Sequence, residues 1–183
     1  LDNSKLKIEQ VPMKIEAIGD KEPEKTLERG CALLDRVGVK YWIASGTLLG
    51  LVRDKKFIAH DTDIDVECIE PEMFARIRRI FERNGFMPVR IMTYDGHVQQ
   101  AAYTDDRNHD VIFDIYFYRL EGAEYVNYND HGTLKLPRDI VKTIKDRKPE
   151  PPEAYLAWRY GDDWTIPTNK KSDWGEDTKC LKS

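Results

Sequence analysis

The chain has 183 residues, 40% of them hydrophobic and 34% charged, with a formal net charge of -4. That length points to one domain with enough apolar mass for a core. The acidic balance argues against a protein that coats nucleic acid, which needs a basic surface, and no apolar run approaches a membrane span. No signal-peptide pattern opens the chain, and its first residue is Leu1, so a trimmed or excised start is expected. Cys31, Cys68 and Cys180 are too few and too scattered for a disulfide framework or a zinc cluster. A reducing, cytoplasmic compartment fits them.

Residues 1–22 read as a polar arm or a short strand. Pro23 opens a helix with Leu27, Cys31, Leu34 and Val37 on one face and Gly38 as its stop. Residues 40–44 are aromatic and β-branched, a strand pattern. Ser45 then suits a helix N-cap, and residues 46–53 are a short helix. Its Gly46, Gly50 and Arg53 recur at helical spacing, a face without bulk until the arginine. Exposed amides at such a helix start favour an anion.

After a turn at 54–56 comes an acidic strand over 63–69, preceded by Asp61. Pro71 begins a helix with Phe74, Ile77 and Phe81 as its core stripe and Asn84-Gly85 as its end. Residues 86–92, 97–104 and 111–118 read as strands, with Tyr94-Asp95-Gly96 as a hairpin turn. Residues 105–110 form a charged loop that reads as a solvated tip. Gly122 marks a turn towards a strand at 124–128, and residues 137–148 suggest a basic amphipathic helix. Glu150-Pro151-Pro152 breaks that segment, residues 153–160 start a last helix, and a polar tail runs from Thr168. The organisation is an arm (1–22), a main domain (23–167) and a tail (168–183), in an α+β class with a mixed sheet flanked by helices.

The chemistry concentrates in Asp61, Asp63 and Asp65. On a strand, alternate side chains share a face, about 7 Å apart. At an effective dielectric of 20, two unit charges at that distance repel by roughly 2 kcal/mol. Divalent cations compensate such a row, because hard cations take carboxylate oxygens and bridge them to phosphate. A solvated acidic edge is the plain alternative. Asp114, the lone charge in Val111–Tyr118, is the candidate third acid, since a carboxylate in such a run needs a partner. None of His60, His97, His109 and His131 has metal-ligand spacing with a cysteine.

The segment from Tyr41 to Val66 resembles the signature of the LicD and fukutin-like family, within the polymerase-β-like nucleotidyltransferase superfamily. The likeness rests on Ser45-Gly46-Thr47-Leu48-Leu49-Gly50, Arg53, Phe57-Ile58, Asp61, Asp63 and Asp65 in order, with Asp114 on a later apolar strand. Tyr160-Gly161-Asp162 and Pro167 resemble the family's closing element. In the family an aromatic residue often precedes the first Asp, where His60 stands here.

The resemblance implies a nucleotidyltransferase-like fold and an enzyme that transfers phosphorus-containing groups. Asp63, Asp65 and Asp114 would be catalytic and, with Asp61, would hold Mg2+, with Mn2+ as an alternative. Asp114 is the candidate general base. Ser45, Gly46, Thr47, Gly50 and Arg53 would bind donor phosphate. His60, Trp158, Tyr160 and Trp164 are candidate substrate contacts, although aromatic residues near a helix end are more often core. The implied partners are a CDP-linked alcohol donor and a sugar or glycan acceptor, with no nucleic acid and no membrane span. Phosphocholine, ribitol phosphate or glycerol phosphate would move to a glycan hydroxyl with release of CMP. Two rivals stay open: transfer of a nucleoside monophosphate with release of pyrophosphate, and an inert nucleotide- or glycan-binding module.

Overall fold

The computed structural model describes residues 1–12 and 21–167. The expected tail from Thr168 and Cys180 lie outside the described residues. A six-stranded mixed sheet carries the architecture, in the order β1–β4–β5–β6–β3–β2. Its strands are β1 (Leu6–Gln10), β2 (Tyr41–Ile43), β3 (Asp63–Cys68), β4 (Phe86–Tyr94), β5 (His97–Asp105) and β6 (Asn108–Phe117). β3 and β6 run parallel; the other neighbours are antiparallel. The fold is α+β, as the residue pattern implies.

Helices α1 (Pro23–Val37) and α3 (Phe74–Arg83) cover one face of the sheet. α1 stops at Gly38, whose φ of 81° is open to glycine without the clash a β-carbon brings. The expected stripes are in place: Cys31, Leu34 and Val37 on α1, and Ile77 and Phe81 on α3, are buried, with Leu27 and Phe74 half-buried beside them. Phe81 meets the rings of Phe86, Tyr103 and Phe113 at centroid distances of 4.9, 4.9 and 5.8 Å, which gives this core its aromatic centre.

A second core lies around Trp42, Leu48, Tyr118, Leu134, Leu136, Tyr155 and Leu156. It joins α2 (Ser45–Leu49) and α4 (Pro152–Tyr160) to a small sheet of β7 (Arg119–Glu121), β8 (Glu124–Asn129) and β9 (Gly132–Pro137). Asn127 pins the small sheet to the large one. Its Nδ2 donates to the Gln99 and Phe117 carbonyls at 2.8 and 2.9 Å.

The β4–β5 hairpin forms as its turn residues require, with Asp95 at φ 52° and Gly96 at φ 79°. Other expectations need correction. Residues 137–148 are not a helix: after β9 the chain turns into a small hairpin of β10 (Ile144–Lys145) and β11 (Lys148–Pro149). Asp146 and Arg147 both adopt positive φ, which suits a tight two-residue turn and ends any helix. The Arg147 carbonyl accepts from Ile43 N–H at 2.7 Å, so this hairpin ties to β2. Basic side chains at helical spacing reflect solvent exposure here, with Val141 as the anchor.

The loop at 105–110 is shorter than expected, because Asp105 and Asn108 already pair across the hairpin. Asp105 is buried rather than solvated. Arg29 forms an ion pair with it, donates to the Asn84 carbonyl at 2.8 Å and lies 5.1 Å from the Phe86 ring centre. Residues 6–10 join the sheet as β1.

Gly30 on α1 faces Phe113 so closely that a β-carbon would run into the ring. Better helix propensity favours alanine there by up to ~1 kcal/mol, and overpacking opposes it by about 1–3 kcal/mol. We predict that Gly30→Ala lowers the melting temperature by several degrees, read by thermal unfolding; an unchanged or raised value would show that the ring yields freely.

Candidate active site

Strand β3 alternates strictly. Ile64, Val66 and Cys68 enter the core under α1 and α3. Asp63, Asp65 and Glu67 take the opposite face by the period of two. Parallel pairing then sets Asp114 of β6 level with Asp65. One carboxylate oxygen from each of Asp63, Asp65 and Asp114 lies within 4.8 Å of the others. Asp65 and Asp114 are buried and Asp63 is half-buried, so the cluster opens at Asp63. At 4.8 Å and a dielectric of 20, each fully ionised pair repels by about 3 kcal/mol.

The proton affinities reflect this crowding. Burial, then the charge of Asp63, raises Asp114 to about 8. Asp61, buried just before the strand, is raised to about 7 by burial and by Asp63. Asp65 lies well above its ordinary range, through burial first and then the charges of Asp63, Asp61 and Asp114. Burial raises Asp63 as well.

Neighbouring elements hold these acids in place. Gln100 of β5 donates from Nε2 to Asp114 Oδ2 at 2.6 Å. The Asp65 peptide is held on both sides: its N–H donates to Thr47 Oγ1 at 2.9 Å, and its carbonyl accepts from Ala44 N–H at 3.0 Å. Between those two residues stands Ser45, at φ 47°. That left-handed conformation costs a residue with a β-carbon roughly 1–2 kcal/mol. Ser45 is not the helix N-cap expected of it. Ala44 takes that place without a side-chain bond, because Ser45 is already the first helical residue.

The expected helix over 46–53 also changes character. After Leu49 it widens into a π-helical turn, Gly50–Asp54, so the spacing that would set Gly46, Gly50 and Arg53 on one face does not hold. The space beside Gly50 is filled by the chain itself. An added β-carbon would sit 2.6 Å from the Lys56 carbonyl oxygen and 3.1 Å from Ile58, so the glycine serves close packing of the turn. Arg53 makes a two-pronged pair with Asp54, at 2.8 Å from Nε and 2.7 Å from Nη2. His60 is exposed in the turn before Asp61. Trp158, Tyr160 and Trp164 are half-buried against the second core.

Several site residues escape a reading of the sequence. Glu67 continues the alternation past Asp65, but its carboxylate is wholly engaged. It accepts from Trp42 Nε1 at 2.8 Å, Tyr155 Oη at 2.8 Å and Tyr118 Oη at 3.1 Å. The positive charge of Arg159 on α4 acts on both Asp65 and Glu67. The alternation was a usable signal for Glu67; nothing local marks Gln100, Tyr155 or Arg159.

The donor set fits a hard divalent cation: three carboxylates converge, and Asp114 Oδ1 is buried without a hydrogen-bond partner among the described residues. Asp63, Asp65 and Asp114 are therefore able to hold a metal ion. Among the described residues no helix is long and apolar enough to cross a membrane.

The acidic cluster and the strands that carry it lie in the part of the chain that a nucleotidyltransferase-domain model covers. The family model "LicD/FKTN/FKRP, nucleotidyltransferase domain" matches residues 38–149, more than half of the chain, and the protein belongs to that family. No curated protein matches the chain. Matching solved structures include the lincomycin-bound lincosamide antibiotic adenylyltransferase LnuA, at 18% identity and a TM-score of 0.48, over 64% of this chain and 70% of that one. ANT(2″)-Ia in complex with adenylyl-2″-tobramycin matches at 15% identity and a TM-score of 0.38, over 55% of this chain and 52% of that one. A solution structure of the antibiotic-resistance factor ANT(2″)-Ia matches at 14% identity and a TM-score of 0.39, over 58% of this chain and 52% of that one.

A carboxyl group whose folded pKa is raised binds a proton that the unfolded chain has released. Its contribution to stability is full below the ordinary value of 3.8 and is lost as pH rises through about 7 for Asp61 and about 8 for Asp114. We predict that the metal-free protein melts lower at about pH 8 than at about pH 5, and that millimolar Mg2+ reverses most of this loss at the higher pH. Asp65→Asn should raise metal-free stability and abolish the response to Mg2+. Scanning fluorimetry across pH, with and without metal, reads all three; a Mg2+ response that survives Asp65→Asn places the ion elsewhere.

Proposed function

We propose that the protein is a metal-dependent phosphotransferase that moves a phospho-alcohol from a CDP-linked donor to a sugar hydroxyl, releasing CMP. The observation that carries the phosphoryl-transfer part is the convergence of Asp63, Asp65 and Asp114 within 4.8 Å beside the Ser45–Thr47 turn. Family membership supports the class of enzyme. The CDP-linked alcohol and the glycan acceptor rest on the resemblance of Ser45–Asp65 to the LicD signature.

In this reading Asp63, Asp65 and Asp114 would hold one or two Mg2+ ions, with Asp61 extending the cluster. That metal would supply charge neutralisation for the donor phosphates and a lowered pKa for the acceptor hydroxyl. The backbone and hydroxyls of Ser45-Gly46-Thr47 orient donor phosphate, and Arg53 clamps it on exchanging Asp54 for the anion. Gly50 is left to packing. Asp114 takes the hydroxyl proton as general base, held in place by the Gln100 amide on its Oδ2. The hydroxyl oxygen forms the new bond to the phosphorus that carries the alcohol, the bond to CMP breaks, and CMP leaves. His60, Trp158, Tyr160 and Trp164 stay as candidate contacts for base or sugar.

The family's designation as a nucleotidyltransferase domain favours one rival, attack at the α-phosphorus with release of pyrophosphate. Products separate the two. We expect CMP from CDP-choline, CDP-ribitol or CDP-glycerol with Mg2+ and a panel of glycans, followed by phosphorus NMR. Asp63→Ala should lower the rate by at least about a hundredfold, the order that one pre-organised charge contact contributes. Pyrophosphate with a nucleotidylated acceptor overturns the phospho-alcohol reading. Cytidine nucleotide binding that ignores both Mg2+ and Asp63→Ala makes the protein a binding module.

A further inference from the structure

The family match ends at residue 149, yet α4, which begins at Pro152, reaches into the site. Its Tyr155 is fully buried, and the hydroxyl serves two partners. It donates to Glu67 Oε1 at 2.8 Å and accepts from Ser45 N–H at 3.3 Å. Glu67 is a rigid anchor, because Trp42 of β2 and Tyr118 at the end of β6 also donate to it. Ser45 is the left-handed residue between Ala44 and Thr47, the two residues that grip the Asp65 peptide. A serine does not keep that conformation without outside restraint. The Tyr155 hydroxyl supplies a restraint where the strain is stored.

We propose that Tyr155 is a positioning residue for donor binding: its hydroxyl, fixed by Glu67, holds Ser45 left-handed and so sets the Ser45-Gly46-Thr47 turn against Asp65. This rests on the reading that the turn takes the donor's phosphates. The acids themselves are placed by β3 and β6, so metal uptake survives loss of the hydroxyl and donor uptake does not. Tyr118 provides the internal comparison. It gives the same Glu67 oxygen a hydroxyl at 3.1 Å, but from the end of β6.

The test is calorimetry of Mn2+ alone, then of CDP at saturating Mn2+, on wild type, Tyr155→Phe and Tyr118→Phe, with thermal unfolding to confirm that each is folded. Tyr155→Phe keeps the ring and its packing on Trp158. We expect its Mn2+ affinity to stay within about twofold of wild type and its CDP affinity to fall at least about tenfold, the scale of one lost hydrogen bond. Tyr118→Phe should leave CDP affinity within about threefold. Equal CDP affinity in wild type and Tyr155→Phe overturns the proposal. So does a parallel loss of Mn2+ and CDP affinity in both variants, which would mark a purely structural network. If Tyr155→Phe does not fold, Tyr155→Met, which also lacks the hydroxyl and fills the space with a flexible side chain, carries the test: CDP binding weakens while Mn2+ binding holds, and no change in CDP binding overturns the proposal. A wild type that takes up Mn2+ but no cytidine nucleotide removes the donor reading itself, and the role of Tyr155 with it.

Discussion

Like charges brought together away from water are the constraint around which this molecule is arranged. Asp63 and Asp65 share one face of β3, and parallel pairing with β6 brings Asp114 level with Asp65. Three carboxylates within 4.8 Å cannot all stay ionised in a buried site without a cation or protons to offset them. Burial and mutual repulsion act in the same direction, and proton affinity rises across the cluster. A fold selected for stability alone would place apolar side chains there. The tension is tolerable because the surroundings are rigid: two cores back the sheet, Gln100 grips one oxygen of Asp114, and the Asp65 peptide is held from both ends.

The same strand shows how one side-chain period serves two ends. Its even-numbered positions, Ile64, Val66 and Cys68, secure the sheet against α1 and α3. Its odd-numbered positions make the site, then at Glu67 become an anchor that joins β2, the end of β6 and α4. Stability and chemistry are therefore linked along a few residues. A change at Glu67 reaches the Ser45-Gly46-Thr47 turn through the Tyr155–Ser45 contact.

Much of this arrangement can be read from residues close together in the chain. The β3 alternation, the Asp95-Gly96 turn, the α1 stripe ending at Gly38 and the buried Asp114 each follow from local spacing. What spacing does not carry is register. Nothing near Asp114 states that β6 runs parallel to β3 with Asp114 level with Asp65. Tyr155 looks like an ordinary aromatic core residue, and its hydroxyl gains meaning from Ser45, 110 positions away. Residues 137–148 show the opposite error. Their basic pattern imitates a helix, but the turn at Asp146-Arg147 and the bond to β2 decide the outcome. The N-cap at Ala44 rather than Ser45, and the π-helical turn at Gly50, have a related cause: the left-handed start of α2 and the widened turn are set by packing against neighbours, which helical spacing does not encode.

The proposed chemistry needs Asp63, Asp65 and Asp114 to form one divalent-cation site. Anomalous diffraction from crystals soaked in Mn2+ tests it most directly. We expect an anomalous peak at about 2.1 Å from a carboxylate oxygen of each of the three residues, the distance of a small hard cation from its oxygen ligands. Soaked crystals with no peak between these side chains, or with manganese bound only at surface acids, would contradict it.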